Sequence, residues 1–203
     1  MTELEFLENL TQERWTALKF LATAPSQSRC EPRLCQAVCR SFDGPFTLAC
    51  DRMECPGALR SLGLGQHDEQ MARQMSEKTG MPPERARRLL AATPRLRQPA
   101  RAVQMGRMER PDVLIAYLRP EAAMRLLRRW QLMTGDRLFS DLSAFTALCA
   151  SLVTAHQEGR LVFSFGCPDS REYGGIQPDQ MIAALPRGLA AQLMREGGAY
   201  ANV

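Results

Sequence analysis

Leu4, Leu7 and Leu10 recur at helical spacing, with Gln12, Glu13 and Arg14 on the polar side, and predict an amphipathic helix over residues 3–15. Residues 16–22 fit a continuation of that helix or a strand, and periodicity does not decide between them. A polar loop with Pro25 and two serines occupies 24–30. Pro32 fits the first turn of a helix to about Ser41, Asp43-Gly44-Pro45 reads as a turn, and 46–49 as a short apolar strand. Pro56-Gly57 opens a short helix ending near Gly63. A polar helix over 66–78 is stopped by Gly80, and Pro82-Pro83 opens another to about Ala92.

Residues 101–107 read as a strand, and so do 113–118, Val-Leu-Ile-Ala-Tyr-Leu, apolar on both faces as a central strand requires. Helices follow at 121–133 and at 141–156, the second capped by Asp141. A strand over 161–165, another over 181–185 and a helix over 189–195 precede a frayed tail, 197–203. Strands and helices intermingled in this way indicate an α/β or α+β fold, a mixed sheet with flanking helices, in a single domain over 1–203.

One pattern occurs twice. Leu34-Cys35 lies on a predicted helix, Gly44 precedes the strand 46–49, and Cys55-Pro56 follows. Leu148-Cys149, Gly159, the strand 161–165 and Cys167-Pro168 repeat the series. The echo runs on from Met81-Pro82-Pro83 to Pro94-Arg95-Leu96, and from Ile176-Gln177-Pro178 to Pro186-Arg187-Gly188-Leu189. Read as a duplication, it gives two pseudo-repeated halves, 16–98 and 111–196, which share one core and each bring two thiols to one place.

Composition narrows the chemistry. With 45% apolar residues the chain can bury a core, and no apolar run reaches the roughly eighteen residues of a membrane helix. The acidic start is unlike a secretory signal, so a reducing cytoplasm is the expected compartment. Seven cysteines, an odd number in a chain of this length, argue against a disulfide framework and leave metal ligation, redox chemistry or burial. The net charge of +4 is modest. Eight arginines fall in 81–110, but no aromatic residue stands among them to stack on bases. That segment is read as a solvated or partner-facing surface, and nucleic acid is not expected as a partner.

Cys35-Gln36 on a helix, Cys55 followed by small residues and Leu62-Gly63, Pro111-Asp112-Val113, and Pro120-Glu121-Ala122-Ala123-Met124 form a recognisable set. With Cys149 and the run Gly166-Cys167-Pro168-Asp169-Ser170-Arg171-Glu172-Tyr173-Gly174-Gly175-Ile176, the chain resembles the uncharacterised archaeal cysteine-rich family, domain-of-unknown-function family 169, from about residue 15 to 195. The resemblance implies a fold and a thiol set but no reaction. It selects Cys35, Cys55, Cys149 and Cys167, the same four that the internal echo selects.

Four thiolates suit an iron–sulfur cluster of the 4Fe-4S type, or zinc as the alternative metal. Their dispersion along the chain is unlike the paired knuckles of a zinc finger. Cys39, one helical turn after Cys35, is a candidate auxiliary ligand or resolving thiol, against the simpler reading of a packed thiol. Arg171 can steady a thiolate or clamp an anion, or else cap a loop, and Tyr173 can donate a proton or pack. His156 lies seven residues after Cys149 on one helix, about 10 Å along the axis, too far for a catalytic dyad. His67 reads as a solvated helix start.

The expectation is therefore a cytoplasmic iron–sulfur protein for electron transfer or a redox-enzyme component. It would work with a redox partner protein, with self-association left open and no membrane. The alternative is a non-enzymatic binding module with structural cysteines and an arginine-rich partner surface.

Overall fold

The computed structural model describes residues 1–65, 68–140 and 142–196. The chain runs α1 (Glu3–Thr11), β1 (Trp15–Leu21), α2 (Leu34–Ser41), β2 (Phe46–Ala49), α3 (Pro56–Ser61), α4 (Asp68–Thr79), α5 (Pro83–Ala92) and β3 (Ala102–Met105). It continues through β4 (Val113–Leu118), α6 (Pro120–Thr134), α7 (Ala147–Glu158), β5 (Val162–Ser164), α8 (Pro168–Glu172), β6 (Met181–Pro186) and α9 (Arg187–Arg195). The strands form one sheet, ordered β2-β3-β1-β4-β6-β5, and every neighbouring pair is antiparallel. The fold is α+β, a sheet with helices on both faces.

The order of the sheet is symmetric about its central pair, β1 and β4, which meet with Trp15 opposite Ala116 and Leu18 opposite Val113. Outside β1 lies β3 and then β2 at the edge; outside β4 lies β6 and then β5. On each side the chain passes from the central strand to a cysteine-bearing helix, the edge strand, a helix opened by Cys-Pro, and back to the middle strand. The first side inserts the pair α4–α5, and the second inserts α6. The later part of the sequence echo falls on unlike elements, because Pro83 opens helix α5 while the stretch after Pro178 becomes strand β6.

Strand β4 is buried along its length, as its two-sided apolar pattern requires. Val113, Ile115 and Tyr117 face a core shared with α2, α3 and α7. Leu114, Ala116 and Leu118 face a second core built with α1, α6 and α9. Truncating a residue such as Leu114, which is 1% exposed, to alanine costs about 2–5 kcal/mol by transfer and cavity terms.

Helix α2 begins at Leu34, so Pro32 precedes it, and α9 begins at Arg187; two other helix boundaries differ more from the sequence reading. Helix α1 ends at Thr11 because Gln12 turns left-handed at φ 58°, and Trp15 then enters β1, which settles 15–21 as a strand. The Trp15 indole N–H donates to Thr11 Oγ1 at 2.9 Å across that corner. Helix α7 begins at Ala147 rather than 141, since Thr146 is left-handed at φ 51° and Phe145 N–H donates to Ser143 Oγ at 3.1 Å in a local turn. The proposed cap Asp141, His67, and the tail 197–203 lie outside the described residues. No helix among the described residues is long and apolar enough to cross a membrane.

Candidate functional site

Each of the four selected cysteines stands in the first turn of a different helix. Cys35 is the second residue of α2 and Cys149 the third of α7. Cys55 and Cys167 are the N-cap residues of α3 and α8, each followed by a proline at the first helical position, where the missing N–H is not needed. The first turn leaves backbone N–H groups without intrahelical partners, so it favours negative charge. N–H groups of Ala58 and Gly57 face the Cys55 sulfur, and that of Gln36 faces Cys35.

All four thiols line one cavity of about 370 Å³ on the α2–α3–α7 face of the sheet. Asp169 and Ser170 of α8 and Phe145 and Thr146 before α7 share the wall, and Met71, Gln74, Met75 and Lys78 of α4 close the opposite side. Burial pushes the Cys35 thiol up to about 12, and the thiols of Cys55 and Cys167 push the same way. Burial also holds the Cys149 thiol well above its ordinary value, with Cys55, Cys167 and Cys35 adding to it. The Cys55 thiol is raised by burial too, against its N–H contacts. These groups are thus near enough to oppose one another's ionisation. Among the described residues, no three His, Cys, Asp or Glu side chains stand close enough to hold a single metal ion.

Close packing fixes the four helix ends. A Cβ on Gly57, two residues after Cys55, would fall 2.4 Å from Thr146 Cγ2, so α3 meets the start of α7 only through a glycine. On the other side, a Cβ on Gly174 would lie 2.4 Å from Ser170 O and 3.1 Å from Cys35 Cβ. The main-chain N–H of Cys167 donates to Ser170 Oγ at 2.7 Å and sets the turn. Arg60 of α3, 5% exposed, ties down both ends of the α4–α5 hairpin. Its Nε lies 3.0 Å from Asp68 Oδ1 as an ion pair, angled too poorly for a hydrogen bond, and its Nη1 donates to Thr93 O at 3.1 Å. The hairpin has its own small core of Ala72, Ala86 and Leu90, flanked by Met71, Met75 and Met81.

The remaining candidates lie elsewhere. Cys39 shares the α2 face with Cys35, but it packs beneath Gly175, whose Cβ would come within 2.9 Å of the sulfur, and it does not line the cavity. Cys50 is fully buried, and Cys30 is exposed. None of the seven cysteines is in a disulfide. Arg171 donates to the carbonyls of Phe165, Gln177 and Gln180, which is the loop-capping role. Tyr173 lies under the Arg33 guanidinium, 4.1 Å from ring centroid to carbon, at the outer end of α8. His156 packs against Phe20 with tilted rings 5.1 Å apart, beside a different pocket. In the arginine-rich segment, Arg87 grips Glu69 at 2.7 and 2.8 Å and Arg107 grips Glu8 at 2.7 Å.

Sequence reasoning missed several contributors. Ser170, three residues after Cys167, carries the spacing of a capping box and could have been found from it. Tyr117, Thr146, and Met71 and Met75 carry no such local signal. The Tyr117 hydroxyl is buried without a hydrogen-bond partner. Burial holds that phenol well above its ordinary value, and the thiols of Cys39, Cys35 and Cys149 add to the effect.

The chain belongs to the family of unknown function 169, described as uncharacterised ArCR, whose profile matches residues 11–196. Among curated proteins, the uncharacterized protein MJ0308 of Methanocaldococcus jannaschii is 32% identical over 77 residues, 37% of this chain and 33% of that protein. The chain thus spans about a third of the length of the curated relative it matches. No solved structure matches.

Proposed function

We propose that the protein binds an iron–sulfur cluster of the 4Fe-4S type through Cys35, Cys55, Cys149 and Cys167, in electron transfer or as part of a redox enzyme. The observation that carries this reading is that four thiols, each from its own helix start, line one cavity. The donor set fits such a group: all-sulfur, largely buried, and supplied with helix N–H groups that favour thiolates. Mutual opposition to ionisation is relieved when the protons are replaced by a cationic core. Tetrahedral zinc would draw four sulfurs to about 3.8 Å of one another. A four-iron core keeps them roughly 6–7 Å apart. When bound, the cluster supplies one-electron chemistry; the chain supplies the ligands, the helix ends and the exclusion of water.

A cytoplasmic setting, which keeps thiols reduced, suits seven unpaired cysteines. The decisive experiment is anaerobic purification with iron, zinc and acid-labile sulfide analysis. The expected result is a brown protein with broad absorption near about 400 nm and about four iron and four sulfide per chain. Colourless protein without sulfide after anaerobic reconstitution, or one zinc per chain, would overturn the proposal.

A further inference from the structure

Beside the thiol cavity lies a second cleft, of about 340 Å³, whose lining is mostly polar. Gln74, Glu77 and Lys78 form one side, from a single face of α4. Arg33 before α2, Glu54 before α3 and Asp169 in the first turn of α8 form the other. Main-chain contacts hold that second side together. The N–H groups of Glu54 and Cys55 donate to Pro32 O at 2.9 and 3.1 Å, and the Cys35 thiol donates to Asp169 O at 3.6 Å. Cleft and cavity adjoin, because Cys55, Pro56, Gln74, Lys78 and Asp169 line both.

Two cations and three carboxylates thus surround one small space. Among the described residues none of the five forms an ion pair, with one another or elsewhere. Other charges of this surface do pair, as Arg87 does with Glu69, Arg107 with Glu8, and Arg119 with Glu13 and Asp179. Arg33 is held differently. Its guanidinium lies over the Tyr173 ring, 4.1 Å from the centroid, and its Nε is buried without a hydrogen-bond partner. A buried donor left unpaired calls for a partner. A guanidinium fixed by an aromatic face, with no carboxylate of its own, is ready to donate its planar fork to the carboxylate of a ligand.

A simple anion would meet three carboxylates in this cleft, and a simple cation would meet Arg33 and Lys78. A ligand that carries both charges suits both sets. We propose that the cleft binds a free α-amino acid, its carboxylate on Arg33 and Lys78 and its ammonium group among Glu54, Glu77 and Asp169. The adjoining cavity offers Met71, Met75 and Phe145, so the side chain it takes is apolar. A space of this volume suits so small a ligand. The site lies beside the thiols and does not require them to hold a metal.

The test is calorimetric titration of the full chain, both metal-free and anaerobically reconstituted, with leucine, methionine and phenylalanine. The N-acetylated and the amidated form of each are titrated beside it, since each removes one of the two charges. At least one free amino acid should bind, and both of its blocked forms should bind about tenfold more weakly or worse. Arg33→Gln and Lys78→Gln should each weaken the free amino acid by about tenfold or more. Lys78 is exposed near the end of α4, so Lys78→Gln keeps the fold even if Arg33→Gln does not. No binding of the three at millimolar concentration in either form of the chain would overturn the inference. So would equal affinity for a blocked form, or wild-type affinity in Lys78→Gln. Binding to the metal-free chain would stand whether or not iron is found, so this inference and the cluster reading fail separately.

Discussion

The Cys35 sulfur lies 3.6 Å from the main-chain oxygen of Asp169, a residue 134 positions later in the chain. The thiol donates to that carbonyl, which belongs to the helix that Cys167 opens. One contact therefore joins ligand candidates from the two sides of the sheet, and it depends on the proton. A Cys35 thiolate would face the negative end of a carbonyl dipole, so the contact would loosen if the proposed cluster took the proton's place.

Serine substitution should separate ligands from packed thiols. Cys35→Ser, Cys55→Ser, Cys149→Ser and Cys167→Ser should each lower bound iron and alter the visible spectrum. Cys39→Ser should leave iron and spectrum unchanged and cost about 1–2 kcal/mol in urea unfolding, from an unsatisfied hydroxyl. Loss of iron from Cys39→Ser at intact fold would add it to the ligand set.

The contact of Gly57 with Thr146 predicts a compensating pair. Gly57→Ala forces its Cβ against Thr146 Cγ2 and should cost about 1–3 kcal/mol while lowering cluster occupancy. Thr146→Gly removes both the opposing methyl and a β-branched residue from φ 51°. The double variant should recover most of the stability lost by Gly57→Ala in a chemical-denaturation cycle; additive losses would contradict the contact.

Arg60 predicts a local effect. In Arg60→Met the ion pair to Asp68 and the bond to Thr93 O are lost, while the central sheet keeps its packing. Amide exchange in 68–92 should accelerate about tenfold or more, with β1 and β4 unchanged. A uniform acceleration across the sheet would show that the hairpin is not an independent unit.

Alkaline pH should weaken the metal-free protein. Burial pushes the fully buried Cys50 thiol up to about 12, with Asp51 adding to it. An unfolded thiol titrates at about 8.5. Below that value both states hold the proton and the contribution is fully present; above it only the unfolded chain loses the proton, so stability falls until the folded value is passed. Cys35 acts in the same direction. Urea midpoints should therefore decline from about pH 9 upward, by up to about 1.4 kcal/mol per unit for each such thiol. Cys50→Ala should flatten part of that slope.

Much of this fold was legible because local signals agreed with it. Residues 46–49 and 113–118 are apolar runs after prolines and 83–92 opens at a proline pair, and the structure keeps them as β2, β4 and α5. The start of α7 was not legible, because Thr146 takes a left-handed conformation that its side chain disfavours and that tertiary packing imposes. The four thiols could be chosen from the echo and the family resemblance, yet their common cavity depends on strand order, which no local pattern encodes. Arg171 and Tyr117 show the same limit: one looked chemical and holds a loop, while the other looked like core and carries an unpaired hydroxyl.

The α4–α5 hairpin is a separately packed wall of the site. It forms one wall of the cavity, yet it has apolar contacts of its own; Arg60 reaches both its ends, and Leu96 N–H and Arg95 bind Ser61 O and Gly63 O just beyond it. A wall built in this way can swing out while the sheet stays intact. On the proposed cluster reading, iron would enter and leave the cavity through the opening of this wall. The persistence of the proposed cluster under air would then depend on residues 68–92 as well as on the cysteines.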